Sequence, residues 1–329
     1  MQKWVVRVVA AVMTLGIIPV SLAMAAPTPA PTPAGSSTTT PGQGLEISPP
    51  VVELSANPGQ TITTSIRIRN VAAGELIAKG KADDFGADDK EDGKPKFLFD
   101  ETGATRYSLK YWVQSVPDLR LAPQELKTAN ITIKVPANAE PGGHFGVVRF
   151  TAVPPDVQGT GVALSASVGA LVLLRVSGNV TDNLDLVSFT TSQNGQSGSF
   201  FEHGPVGFTV RLKDTGSVHE KPQGTIDVTG MFGKKIGSIK VNENGGNVLP
   251  DSIRRFDEEL GKKSLFGHYT AKLNLTYASG AKKLSGQVSF WVIPWKLILL
   301  AIIALVVLVF LIRLGLKRYN AYIIAQARK

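Results

Sequence analysis

Leu297 to Ile312 is an unbroken run of sixteen apolar residues, LILLAIIALVVLVFLI. Extended from Trp295 to Leu316, it gives about 33 Å of helix at ~1.5 Å per residue, enough to cross a hydrocarbon core of about 30 Å. A buried core helix is the alternative, and it fails because no polar face exists anywhere in the run and Trp, Lys and Arg bracket it. Lys296 and Arg313 can snorkel towards the two interfaces, while Trp291 and Trp295 form an aromatic belt at the entrance. Residues 295–316 are therefore predicted to span a membrane. Arg313, Lys317, Arg318, Arg328 and Lys329 follow without a single acid, so the positive-inside rule places the basic tail 317–329 in the cytoplasm. The expected product is single-pass, with its bulk outside the cytoplasm.

The other end agrees with export. Lys3 and Arg7 precede an apolar stretch, and Ala23-Met24-Ala25 supplies the small residues of a processing site, so residues 1–25 read as a signal peptide cleaved before Ala26. The length of the apolar stretch leaves an uncleaved N-terminal anchor as the alternative. Residues 26–44, APTPAPTPAGSSTTTPGQG, alternate proline with small and hydroxylated residues. Such a tract favours extended polyproline II and cannot pack a core, so it reads as a disordered tail or linker.

Topology also disposes of the charge. The chain carries 35 Lys+Arg against 26 Asp+Glu, a net +9 with pI near 9.6, which would ordinarily suggest nucleic acid. Two basic residues lie in the signal and six from Lys296 onward, with no acid in either. The exported region is left with 27 basic against 26 acidic residues. No nucleic-acid footprint remains. The absence of cysteine excludes disulfides, thiolate metal sites and a cysteine nucleophile.

Between the two ends the pattern is strand, turn, strand. Ile62, Thr64, Ile66 and Ile68 alternate with polar residues after the turn Asn57-Pro58-Gly59. Tyr107, Leu109, Tyr111 and Val113 repeat the alternation, as do Ile131, Ile133 and Val135. Val168 to Val176, then Phe208, Val210 and Leu212, and then Tyr269 to Tyr277 do so again. Many short half-buried strands bounded by Gly, Pro, Asn and Asp predict a mainly β protein. The length suits two tandem β-sandwiches, 45–180 and 181–293, ahead of the transmembrane helix.

Motifs for chemistry are absent or fail on spacing. His144, His203, His219 and His268 lack metal-ligand spacing. Ser279-Gly280-Ala281-Lys282 matches S-x-x-K in letters but falls in a turn between strands, where no helix brings the lysine onto the serine. Asp83, Asp84, Asp88, Asp89, Glu91 and Asp92 form an acidic cluster with hard oxygen ligands for calcium. As an EF-hand loop, 88–99 fails: Lys90 stands at position three and Phe99 at the closing position. A solvated loop with its own Lys90, Lys94 and Lys96 is the expected state. Trp112, opposite the Tyr107/Leu109/Tyr111 side, could stack on a sugar or pack under a loop. No catalytic, cofactor or metal residue is assigned.

Asn57-Pro58-Gly59-Gln60 leading into Ile66-Arg67-Ile68-Arg69-Asn70, and Ile133-Lys134-Val135-Pro136 followed by Glu140-Pro141-Gly142-Gly143-His144-Phe145, resemble the first domain of the WxL-interacting surface proteins. Lys213 to His219 with Lys221-Pro222-Gln223-Gly224, and later Val248-Leu249-Pro250 and Phe266-Gly267-His268-Tyr269, resemble the second. The resemblance implies two Ig-like domains, a peptidoglycan-binding-type followed by a host-binding-type, on a C-terminal anchor. The expected function is non-enzymatic: a surface protein of a bacterial-type cell that engages wall polymer, another surface protein, or both. Strand addition is one mechanism open to such domains. The alternatives are an extracytoplasmic chaperone or assembly factor for exported subunits, and a wall-acting hydrolase. Neither the partner, the binding surface nor the oligomeric state follows from the sequence.

Overall fold

The computed structural model describes residues 44–99, 101–153, 155 and 166–327. The signal peptide and nearly all of the Pro/Thr tract lie outside the described residues. What is described is mostly β, arranged as two Ig-like sandwiches followed by one helix.

The first sandwich packs a three-stranded sheet on a larger one. The smaller sheet joins β1 (Leu45–Ser48), β3 (Thr61–Asn70) and β7 (Leu126–Lys134), all antiparallel. The larger runs β2 (Val51–Ala56), β9 (Ser167–Val176), β8 (Gly142–Val153), β4 (Leu76–Ala87) and β5 (Pro95–Leu98), with β6 (Leu119–Leu121) paired to the start of β4. Pro49 and Pro50 separate β1 from β2. Lacking N–H groups, they end pairing with β3, and the chain crosses to lie parallel to β9. The period-two pattern fills the core: Ile66, Ile68, Ile131 and Ile133 from one sheet meet Phe150, Val172 and Leu174 from the other, all fully buried. Asn70 closes the end of β3. Its Nδ2 donates to the carbonyls of Gly74, Leu121 and Ala122, and its Oδ1 accepts from Ala72 N, so its burial leaves nothing unpaired.

The second sandwich faces β10 (Leu184–Gln193), β13 (Val206–Asp214), β16 (Ile253–Leu260) and the short β11 (Gln196–Ser197) against a five-stranded sheet. That sheet runs β12 (Phe200–Phe201), β18 (Lys282–Val292), β17 (Gly267–Tyr277), β14 (Gln223–Gly230) and β15 (Lys235–Val241). Phe208 packs edge-on to Phe290, ring centroids 5.8 Å apart, with Val210, Leu212, Ile226 and Leu273 around them. Each such side chain contributes about 1.5–3 kcal/mol by leaving water. The β17–β18 turn holds Ala278, Ser279 and Gly280 in left-handed conformations. Ser279 and Lys282 thus sit in a hairpin, without the helix an acyl-enzyme needs.

One expected strand is absent. Residues 107–113 do not form a continuous strand but turn: Trp112 N donates to Leu109 O, and only Ser108 and Val113 make isolated bridges. Leu109 is buried while Tyr111 is exposed, so the two do not share a buried face. Ile293 and Pro294 alone separate β18 from α1 (Trp295–Ala327). Within α1, Trp295–Ala321 is long and apolar enough to cross a membrane, and none of it is buried against the sandwiches.

Candidate functional site

The outer face of the larger sheet of the first sandwich carries apolar side chains that its own core does not use. Phe85 on β4, Phe145 and Val147 on β8 and Leu173 on β9 are buried there, with Tyr107, Leu171 and Leu249 packed against them. Leu249 comes from the second sandwich, so this cluster is the apolar joint between the two. His219 adds its ring edge-on to Phe145 at 5.7 Å. Gly143 N donates to Ser217 O at 2.8 Å, and a side chain at Gly142, whose φ is +143°, would meet the same carbonyl at 2.7 Å.

Beside the joint lies a cleft of about 590 Å³. Val51, Phe85, Leu171, Leu173 and Leu249 give it an apolar floor, and Glu53, Lys94, Lys221 and Arg254 supply charge. Lys221 Nζ donates to both Glu53 oxygens at 2.8 and 3.0 Å, and Asn247 Nδ2 donates to one of them at 3.0 Å. Burial would push the Glu53 carboxyl up, but these bonds and the Lys221 charge hold it below its ordinary value. Arg254 stands differently. Its guanidinium is wedged where a side chain at Gly93 or Gly246 would lie, within 2.3 Å of either. Nη1 donates to Asn247 O at 2.7 Å, the Phe256 ring lies 5.3 Å from Cζ, and Nε is buried without a partner. Among the described residues no carboxylate bonds to it; burial lowers its pKa, against the charge of Asp92, which raises it. The cleft therefore holds a cation without a direct carboxylate partner among the described residues.

The acidic cluster is a solvated loop only in part. Asp83 and Asp84 lie on β4 and are buried. Asp83 takes Arg149 Nε and Nη2 at 3.2 and 3.0 Å, and Asp84 Oδ1 accepts the backbone N–H of Leu109 and Lys110 at 2.9 Å. The remaining acids fall in the β4–β5 turn, which reaches across to the second sandwich. Glu91, at φ +58°, forks onto Arg211 Nε and Nη2 at 2.6 and 2.5 Å, and its carbonyl accepts Arg255 N at 2.7 Å. That bidentate bond draws the Glu91 pKa down and raises that of Arg211. Asp92 and Asp89 pair within the turn, with Lys94 and Lys96. The turn is a clasp between sandwiches, and the physical reason is the complementary guanidinium it finds there. No sequence signal marks it, because Arg211 lies 120 residues away.

Buried titratable groups collect on the other side of the joint. Asp214 is fully buried. Desolvation raises its pKa to about 8, although Gly216 N donates to Oδ1 at 2.8 Å. Glu220, also buried, is raised to about 7, chiefly by desolvation, with the neighbouring Asp182 carboxylate adding to the rise. Asp182 in turn lies 3.2 Å from Arg175. His219 is lowered to about 4 by desolvation. Tyr107 OH donates to Asp251 Oδ2 at 2.6 Å across the joint and rises to about 12, chiefly through burial.

The four histidines do not converge. His144 and His219 lie near the joint, while His203 bonds its neighbour's carbonyl and His268 lies 4.9 Å from the Trp291 ring. Among the described residues no group of three His, Cys, Asp or Glu side chains is placed to hold a metal. Trp112 is not a stacking platform: its ring packs on His144 at 4.1 Å and against the first core.

No family model and no curated protein sequence matches the chain. Several solved structures are similar in fold. A chaperone–tip adhesin complex of CFA/I fimbriae aligns at 12% identity and TM-score 0.39, over 76% of this chain and 99% of that one. The E. coli chaperone DraB aligns at 12% and 0.36, over 75% and 98%. The CsuC–CsuE pre-assembly complex of Acinetobacter baumannii aligns at 14% and 0.36, over 74% and 97%. At these values the likeness carries no argument beyond itself, and the assignment as two Ig-like sandwiches rests on the sheets described above.

Proposed function

We propose that the protein is a membrane-anchored, extracytoplasmic binding protein that holds an extended polypeptide segment of an exported partner, as a chaperone or assembly factor does. The observation that supports this most is the edge of β9. Its inner side pairs with β8 throughout, but its outer side pairs with β2 only from Leu171 to Val176, so that no described strand pairs with the outer backbone groups of Ser167 to Ala170. An added strand there would satisfy those groups. That stretch leads directly to Leu171 and Val51 in the floor of the cleft. A segment leaving the edge would then meet an apolar floor for its side chains and the Arg254 guanidinium for a carbonyl or carboxylate. The basic residues after the apolar run support a reading with the sandwiches outside the cytoplasm. Wall polymer, the partner type implied by resemblance to the WxL-interacting proteins, finds less here, since Trp112 is turned inward.

The test is hydrogen exchange on the full chain in detergent, with the exported polypeptides that co-purify with it and, separately, with purified wall fragments. Slowed exchange at 167–170 with polypeptide alone supports the reading. Slowing by wall fragments alone, or by neither, overturns it.

A further inference from the structure

The register of the second sandwich gathers a particular set of residues at one end. Gly267 and Phe201 both pair with Val292, Gly230 pairs with Tyr269, and Lys235 with Thr229, while Val206 and Leu260 pair at the same end of the facing sheet. The turns 231–234 and 261–266 and the strand β12 therefore all sit where β18 ends, three residues before α1 begins. Apolar side chains that belong inside a soluble domain project from this end. Phe232 is 91% exposed and Phe266 70%, and Met231, Phe200 and Trp291 are exposed beside them. At the opposite end, the turns 215–222, 242–252 and 278–281 carry no exposed large apolar residue. Lysines accompany the aromatics. Lys235 pairs with Asp227 and Lys296 with Glu202, whereas Lys234, Lys262 and Lys263 have no carboxylate partner among the described residues.

We infer that this end of the second sandwich is a lipid-docking surface: Phe232 and Phe266 enter the acyl–headgroup boundary of the bilayer that α1 crosses, and Lys234, Lys262 and Lys263 meet anionic headgroups. The inference rests on α1 being the membrane anchor, the reading made above, and adds a second, independent contact with the same bilayer. A bilayer is the occupant the geometry selects. The patch is continuous with α1, and aromatic tips ringed by lysine match an interface that is apolar below and anionic above. Exposed aromatics at turn tips otherwise invite association, and here the bilayer covers them.

Because the chain has no cysteine, one introduced thiol gives a single reporter. Ser264→Cys, in the 261–266 turn, and Ala281→Cys, at the far turn, are each labelled with an environment-sensitive fluorophore. The full chain is reconstituted into phosphatidylcholine–phosphatidylglycerol vesicles carrying lipids brominated near the headgroup. The expected result is quenching several-fold stronger at 264 than at 281, abolished by Phe232→Ser with Phe266→Ser while the protein still floats with the vesicles. Equal quenching at both positions, or quenching that survives the double replacement, overturns the docking surface and leaves the anchor standing. A chain that washes off the vesicles in alkaline carbonate overturns the anchor, and the docking surface with it.

Discussion

The two ends of the second sandwich are built from the same strands and solve different problems. Towards the first sandwich, the contacts are enclosed and specific: Leu249 in an apolar joint, Glu91 forked onto Arg211, Tyr107 on Asp251. Towards α1 they are open and generic, with Phe232, Phe266 and lysines on turn tips. Directional bonds suit a protein surface that presents one fixed arrangement of donors. A bilayer presents none, so area and charge suffice. The difference teaches that exposure and enclosure at a sandwich's ends report what each end faces.

The comparison can be pressed from its strongest contact to its weakest. Phe145→Ala removes the ring at the centre of the joint and should cost about 3–5 kcal/mol. A single urea transition should split into two as the sandwiches come apart, and one unsplit transition would show that the joint does not couple them. The buried carboxyls come next. Asp214 and Glu220 have folded-state pKa values of about 8 and 7, above their ordinary 3.8 and 4.5. The folded chain thus keeps protons that the unfolded chain has released, and stability falls as pH rises towards 8. His219, lowered to about 4, works oppositely, but only below about pH 6.5. From about pH 6.5 to 8 the carboxyls act alone, and the loss should be on the order of 2 kcal/mol. Thermal melts of Asp214→Asn should flatten that slope, and an unchanged slope would remove Asp214 from the account.

Glu91→Gln breaks a charge-assisted fork that is partly exposed and should cost about 1–2 kcal/mol. A double-mutant cycle with Arg211→Gln should recover a coupling of similar size, whereas additive losses would mean that the clasp is only a neighbour contact. At the far end, Phe232→Ser should change the stability of the detergent-solubilised chain by less than about 0.5 kcal/mol, because the ring touches little protein. A larger loss there would mean that the turn packs against something within the chain.

Most of the fold is legible as period two. Ile62 to Ile68, Ile131 to Ile133, Phe208 to Leu212 and Tyr269 to Tyr277 all fall in strands, since alternation is what a half-buried sheet demands of a sequence. The same rule misreads Tyr107 to Val113, where alternation arises by chance in a turn tied down by Asp84 Oδ1. The C-terminal helix is legible because its residues are apolar without interruption from Leu297 to Ile312. The cleft is not. Glu53, Lys221 and Arg254 are single charged residues, identical in local pattern to solvated ones. They become a site only when the end of one sandwich meets the face of the other. The acidic turn drew notice for its charge, yet its partner guanidinium lies in another domain, beyond any local reading.

Only Ile293 and Pro294 intervene between β18 and α1, and β18 is held between antiparallel β17 and parallel β12. A pull on the first sandwich would be transmitted to the helix without slack. Its load would fall along β18 as shear, borne by a whole row of hydrogen bonds at once. At this junction reach is surrendered for stiffness.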